Sequence, residues 1–326
     1  MTRAKDLDFL VIGAQKAGTT SLFEYVRRHP GLYLPSEKEV SYFNLESRVE
    51  RGWEWYLAWV FAEAPVDRPW GTFSTFYMDA AEGSEETVPR RVRDTIPNVK
   101  LIAIVRDPVE RCISHHRMSV MKRLEHRAFA VAMDELLDDA ALADARRWPT
   151  ESNSYVTRGE YGRALGNYLE LFPREQVLVL FAEDLERDPG QVLHDLFEYV
   201  GVDPDFVPPN LDERYRRAGD RRRIGWLDMH GWRARLARQR AARQAWERLP
   251  APARRSADRW VRVVSYRAEL WNARDRGEDT APEIDPAVIS RLEEHYAPDV
   301  ERLRGLIGGE PPWPRFASEY ASRSPS

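Results

Sequence analysis

After a short polar segment, the chain runs through four consecutive apolar residues, Phe9, Leu10, Val11 and Ile12, closed by Gly13. From Ser21 the apolar positions Leu22, Tyr25 and Val26 recur at helical spacing. The pattern predicts a buried strand, a tight turn and a helix. The pairing recurs at Leu101 to Val105, an unbroken run of strand formers of the kind covered on both faces in a parallel sheet. Asp107 then suits a helix N-cap and Pro108 the first helical position. Val177 to Phe181 reads as a third buried strand, followed by a helix from Pro189 to Val200. Between these, Gly159 to Phe172 predicts a helix with Tyr161, Leu165, Tyr168, Leu169 and Phe172 on one face, ended by Pro173. Arg51 to Phe61 reads as an aromatic-rich core helix, Trp70 to Met78 as extended, Glu85 to Ile96 as a helix, and His126 to Trp148 as a helix and an acidic loop. Leu292, Tyr296, Val300, Leu303 and Ile307 form one face of a last helix. Alternation of strands and helices predicts an α/β fold: a doubly wound, mainly parallel sheet flanked by helices, with right-handed crossovers. There is no repeat and no linker, so residues 1–326 read as one domain, with a basic helical region from about 210.

Composition narrows the classes. A hydrophobic content of 43% over 326 residues allows a sizeable core. A net charge of -4 and a pI near 6.1 argue against a dedicated nucleic-acid binder, although the charge is unevenly spread. The single cysteine, Cys112, excludes an intramolecular disulfide and a cysteine-based zinc cluster. The first apolar run is too short for a secretory signal, and no run approaches the roughly 18 apolar residues of a spanning helix. The expectation is a soluble cytoplasmic protein, and the excess of arginine over lysine suggests a bacterial source.

The candidate chemistry sits where strands end. Gly13 to Thr20 is a loop of small residues with one cation, Lys16, opening a helix. Such a loop lets backbone N–H groups converge on an anion at the positive end of the helix. Gly13 and Gly18 have the spacing of a nucleoside triphosphate loop, yet Thr19 stands where that loop has its lysine. Arg106, at the carboxyl end of the second strand, and Ser114, two turns into the next helix, would face the same crevice and suit a phosphate monoester. In the segment PSEKEVSYFN, Glu39 could take a proton from an attacking acceptor, although on its own the pair Lys38-Glu39 reads more readily as surface charges on a loop. The acidic stretch LDDAALADA reads as a solvated face, and no metal is expected.

G-x-x-K-x-G-T-[ST] over Gly13 to Thr20 resembles the 5'-phosphosulfate loop of sulfotransferases that use 3'-phosphoadenosine 5'-phosphosulfate (PAPS). R-D-P-x-x-R-x-x-S over Arg106 to Ser114 resembles their 3'-phosphate motif. Lys38, Glu39, Tyr42 and Phe43 resemble the K-E-x-x-[FY]-F segment of heparan-type carbohydrate sulfotransferases and their bacterial relatives. Gly52, Trp55 and Tyr56 are similar to their G-x-x-W-Y, and Gly159 to Gly201 to a later block, so the likeness covers about two-thirds of the chain.

The resemblance implies a P-loop NTPase-like sulfotransferase fold, with PAPS as donor and 3'-phosphoadenosine 5'-phosphate (PAP) as product. It implies Gln15, Lys16, Ala17, Gly18, Thr19, Thr20 and Ser21 around the 5' phosphosulfate, and Arg106 and Ser114 on the 3' phosphate. Glu39 takes the place of the catalytic base, with Lys16 offsetting charge on the leaving oxygen and His115 or His116 as fallback bases. Lys38, Ser74 and Tyr77 would face the acceptor, and Arg221, Arg222 and Arg223 would close over the nucleotide. The acceptor would be a small molecule, carbohydrate or glycolipid, attacking through a hydroxyl more readily than an amine. One departure stands out: where relatives carry E-K-[ST]-P-x-Y, this chain reads Thr72-Phe73-Ser74-Thr75-Phe76-Tyr77, without the lysine that assists catalysis in some heparan enzymes. Two alternatives remain: a small-molecule kinase on the same sheet, and a silent nucleotide-binding protein that engages a partner through its basic 213–248 region. That region also reads as a peripheral membrane contact.

Overall fold

The computed structural model describes residues 5–78, 87–213 and 284–317. Arg221, Arg222 and Arg223 lie outside the described residues. The chain divides into two units, Met1–Asp212 with Ala281–Ser326, and Glu213–Thr280. The sheet and its helices belong to the first.

Four parallel strands, β1 (Phe9–Gly13), β2 (Gly71–Phe73), β3 (Lys100–Val105) and β4 (Val177–Phe181), lie in the order β2-β1-β3-β4. Phe9 pairs with Gly71 on one side and Lys100 on the other, while Leu101 pairs with Val177. The chain passes from β1 to its neighbour β2 on one side and then crosses to β3 on the other. Winding therefore reverses between β1 and β3, which opens a crevice at their carboxyl ends. All of β1 is buried, as is β3 beyond Lys100. Removing a core side chain such as that of Ile104 would cost roughly 2–5 kcal/mol. Gly71 is fixed by close approach, because a Cβ there would meet the Phe9 ring at 2.1 Å.

Among the described residues the helices are α1 (Thr19–Val26), α2 (Glu46–Val49), α3 (Trp53–Val60), α4 (Val88–Thr95), α5 (Pro108–Met121), α6 (Phe129–Leu136), α7 (Asp139–Arg147), α8 (Tyr161–Leu169), α9 (Ala182–Arg187), α10 (Pro189–Val200) and α11 (Pro286–Ile307). A Cβ on Gly162 would meet the Asp299 carbonyl at 2.3 Å, so α8 and α11 touch backbone to backbone at that glycine. The Asp299 carboxylate caps α8 by accepting from the Gly162 and Arg163 amides, each at 2.8 Å.

Three local expectations are corrected. The segment after Trp70 stays extended only through Phe73 and then winds into a 3-10 turn, Thr75–Met78. The Tyr77 hydroxyl accepts from the Tyr42 amide at 2.6 Å, which draws the chain inward where alternation would have carried it on. The acidic stretch after Leu136 is a helix start, not a loop, because Asp138 accepts from the Ala140 and Ala141 amides as the cap of α7. Among the described residues β4 is the last strand of the sheet, and its Leu178, Val179 and Phe181 are half-buried, so it is less covered than the buried strand its apolar run predicts.

Candidate active site

The loop between β1 and α1 has features that suit an anion. Gly18 precedes α1 with φ 84°, a left-handed conformation that glycine adopts without steric cost. α1 has no side-chain cap and no acidic residue in its first turn, so its leading amides suit a negatively charged ligand. Lys16 is itself left-handed at φ 71°, a conformation that costs a non-glycine residue on the order of 1 kcal/mol and is concentrated at functional sites. At the loop's start, the Ala14 amide donates to the Ile104 carbonyl at 2.7 Å, two residues before Arg106. Both candidate cradles therefore open at the carboxyl ends of the two inner strands.

Glu39 also holds a left-handed backbone, φ 66°, with its amide donating to the Phe73 carbonyl at the end of β2. Its carboxylate is held from two sides. The Thr75 amide donates to Oε2 at 3.1 Å, and the Thr75 hydroxyl lies 3.1 Å from Oε1. Lys38 Nζ lies 2.9 Å from Oε1 and donates to Thr19 Oγ1 at 2.9 Å. The Lys38 side chain, 7% exposed, thus links the carboxylate to the first residue of α1, whereas the resemblance had it facing the acceptor. Ser74 and Tyr77, expected at the acceptor as well, are buried. Ser74 Oγ pairs with Ser41 Oγ at 2.7 Å, and Tyr77 accepts from Tyr42 and Phe43 amides. Ser74, just before the 3-10 turn, and Tyr77, within it, thus bond into the core, while Thr75 holds Glu39.

On the far side of the crevice, Arg106 is partly exposed and lies 3.6 Å from Glu110. Asp107 Oδ1 accepts from the Val109 and Glu110 amides at 2.9 and 3.0 Å, as the sequence predicted. With that end of α5 capped, side chains, and not the helix terminus, are left to hold an anion there. Ser114 is buried among the residues of α5. The rings of His115 and His116 are turned inward. Burial pushes the His115 imidazole down to about 3, so it is neutral near pH 7. Its Nε2 lies 3.1 Å from Glu151 Oε2 and its Nδ1 3.4 Å from Arg111 Nη1. His116 Nε2 lies 3.1 Å from the Arg127 carbonyl, and burial lowers this imidazole too.

Two residues with no sequence signal complete the site. Arg158 Nη1 donates to Gln15 Oε1 at 2.8 Å and lies 3.4 Å from Glu151 Oε1. Its guanidinium sits 5.5 Å from the centre of the Phe76 ring. Burial works against the Glu151 carboxylate, but His115, Arg158 and Lys122 hold it down to about 2. Both residues lie between predicted elements, where apolar periodicity says nothing. A separate cleft of about 490 Å³, lined by Arg146, Glu160, Arg163, His295, Asp299 and Arg302 among others, includes neither Glu39 nor the loop. Among the described residues no His, Cys, Asp and Glu group is placed to hold a metal ion, and no helix is long and apolar enough to cross a membrane.

Comparison with known proteins gives this geometry a family. Residues 6–217, which contain Lys16, Glu39, Arg106, Ser114 and Arg158, match the sulfotransferase domain. Over 203 residues, 61% of the chain, it is 29% identical to the human bifunctional heparan sulfate N-deacetylase/N-sulfotransferase 3, of which it covers 22%. Over 138 residues, 41% of the chain, it is 33% identical to the membrane-associated sulfotransferase kil1 of Dictyostelium discoideum, of which it covers 28%. The chain thus spans roughly a quarter of the length of these relatives. The crystal structure of a sulfotransferase from Alicyclobacillus acidocaldarius superposes with a TM-score of 0.61 over 94% of this chain and 98% of that one, at 22% identity, and so shares the fold. With the domain match spanning the loop, the carboxylate and both inner strands of the parallel sheet, the chain belongs to the sulfotransferase family.

Proposed function

We propose that this protein moves a sulfuryl group from PAPS to an acceptor hydroxyl, less readily an amine, by in-line displacement. The observation that carries the reading is the Lys38 bridge, 2.9 Å to Thr19 at the head of the anion loop and 2.9 Å to the Glu39 carboxylate. It sets a proton acceptor beside the place where a phosphosulfate would sit. The uncapped first turn of α1 and left-handed Gly18 fit such a group. When bound, the donor supplies the sulfuryl group and departs as PAP.

Glu39 takes the acceptor's proton as the new oxygen–sulfur bond forms, a contribution of roughly 10²- to 10⁴-fold. Lys16, with Gln15, Ala17, Gly18, Thr19, Thr20 and Ser21 around it, offsets charge growing on the oxygen that leaves sulfur. Arg106 and Ser114 hold the 3' phosphate, the group that separates this nucleotide from ATP. Positioning and charge stabilisation dominate, as in phosphoryl transfer. Arg221, Arg222 and Arg223 remain candidates for closing over the nucleotide. The buried rings of His115 and His116 favour Glu39 over either as base. For the acceptor, a small molecule, carbohydrate or glycolipid fits the reading, the human relative being named for heparan sulfate.

The test is a mass-spectrometric search for a gain of one SO₃ unit, using purified protein, PAPS and a panel of sugars, glycolipids, phenols and amines. Sulfated product supports the reading. PAP binding with no product across the panel favours the silent binding protein, and ATP- and Mg²⁺-dependent phosphorylation favours the kinase.

A further inference from the structure

The loop that would hold the 5' end of the nucleotide and the helix that would hold its 3' end are joined by a chain of polar side chains. Gln15, in the loop, accepts from Arg158 at 2.8 Å through Oε1, and its Nε2 lies 3.4 Å from Glu151 Oε1. Glu151 Oε2 lies 3.1 Å from His115 Nε2, and His115 directly follows Ser114 on α5. Arg158 Nη1 lies 3.4 Å from Glu151 Oε1 and closes the circuit.

The roles of donor and acceptor follow from chemistry. A neutral imidazole donates from one nitrogen and accepts at the other. His115 donates Nε2–H to the Glu151 carboxylate and leaves Nδ1 facing the Arg111 guanidinium at 3.4 Å. Arg111, fully buried, also donates to the Tyr155 carbonyl, so the imidazole is fixed from behind. The Arg158 side chain is 7% exposed, and its guanidinium lies over Phe76, the neighbour of the Thr75 that holds Glu39. One planar cation thus touches the loop, the support of α5 and the segment beneath the carboxylate.

We propose that Arg158 is a positioning residue that sets the spacing between the two anion cradles, so that a nucleotide charged at both ends is gripped at both at once. The inference rests on the two-cradle reading above. When a ligand engages two sites, binding at the second is intramolecular, and its benefit depends on the spacing being correct. Loosening the brace weakens a two-ended ligand and leaves one-ended ligands nearly unaffected.

Calorimetry on the full chain tests this with PAP, AMP and adenosine 3'-phosphate, comparing wild type with Arg158→Gln and Arg158→Lys. For Arg158→Gln, PAP affinity should fall about ten- to a hundredfold, while each mononucleotide changes by less than about threefold. Arg158→Lys should not restore PAP binding, because an ammonium lacks the planar guanidinium that lies over Phe76 while its Nη1 meets both Gln15 and Glu151. Equal losses for PAP and one mononucleotide would overturn the proposal in favour of a direct contact, and equal losses for all three would make Arg158 merely structural. A wild type that binds PAP no better than the mononucleotides would remove the two-cradle reading itself, and the proposal with it. Should Arg158→Gln not fold, Glu151→Gln must shift the PAP-to-mononucleotide ratio in the same direction, and an unchanged ratio overturns the proposal.

Discussion

Thr75 holds Glu39 twice, its amide 3.1 Å from Oε2 and its hydroxyl 3.1 Å from Oε1. The pairing crosses 36 residues of sequence and depends on the chain leaving β2 in a 3-10 turn. It aims the carboxylate back toward Lys38 and the start of α1. Thr75→Val keeps the shape and the amide but removes the hydroxyl. Loss of one hydrogen bond to a charged group, roughly 1.5 kcal/mol, should lower kcat about tenfold with the donor KM changed less than twofold. Steady-state kinetics check this.

Glu39→Gln should abolish proton acceptance while keeping the size of the side chain, its single acceptor oxygen holding either the Thr75 amide or the Lys38 ammonium but not both. Turnover is expected to fall at least about a hundredfold with PAP affinity within twofold of wild type. Retained turnover would move the base elsewhere.

Lys16→Ala should reduce kcat more than it weakens PAP binding, because its charge is matched to negative charge that grows only as the bond to sulfur breaks. Single-turnover rates measured beside calorimetric affinities separate the two effects. A change confined to affinity would assign Lys16 to ground-state binding.

How much of this was legible in the sequence depended on distance along the chain. The β1 strand, its glycine turn and the Asp107 cap are local patterns, and the structure carries them as expected. The family followed from motifs with residues at fixed offsets. Ser74 and Tyr77 are buried, and periodicity does not reveal it, because a three-residue strand passing into a 3-10 turn has the same apolar pattern as a longer extended segment. Arg158 left no signal at all, since its partner Gln15 is 143 residues away and it stands in a short 3-10 turn that no periodicity marks. Tertiary polar networks of this kind join elements that each look self-sufficient.

Acid should unfold the protein partly through His115. Its native value, about 3, lies below the ordinary 6.5, so the unfolded chain takes the proton first as pH falls. Its contribution is intact above about 6.5 and is lost below, by up to about 1.4 kcal/mol per pH unit. Glu151, held at about 2, adds loss as pH falls below its ordinary 4.5. Asp299 acts in the opposite sense, because burial raises it to about 6 and the native state then binds its proton first. Comparison with His115→Gln isolates the His115 contribution: urea midpoints for the variant should fall less steeply between pH 6.5 and 4.5 than those of wild type. Parallel curves would contradict the assignment.

Lys16 and Arg106, at the ends of neighbouring strands, are proposed to grip opposite ends of one nucleotide. Calorimetric titration of the wild-type protein with PAP and with ADP, each with and without Mg²⁺, tests it without knowledge of the acceptor. PAP should bind at least about a hundredfold tighter than ADP, a difference of about 2.7 kcal/mol, and independently of Mg²⁺. Equal affinities, or ADP binding that requires Mg²⁺ and exceeds PAP, would contradict it.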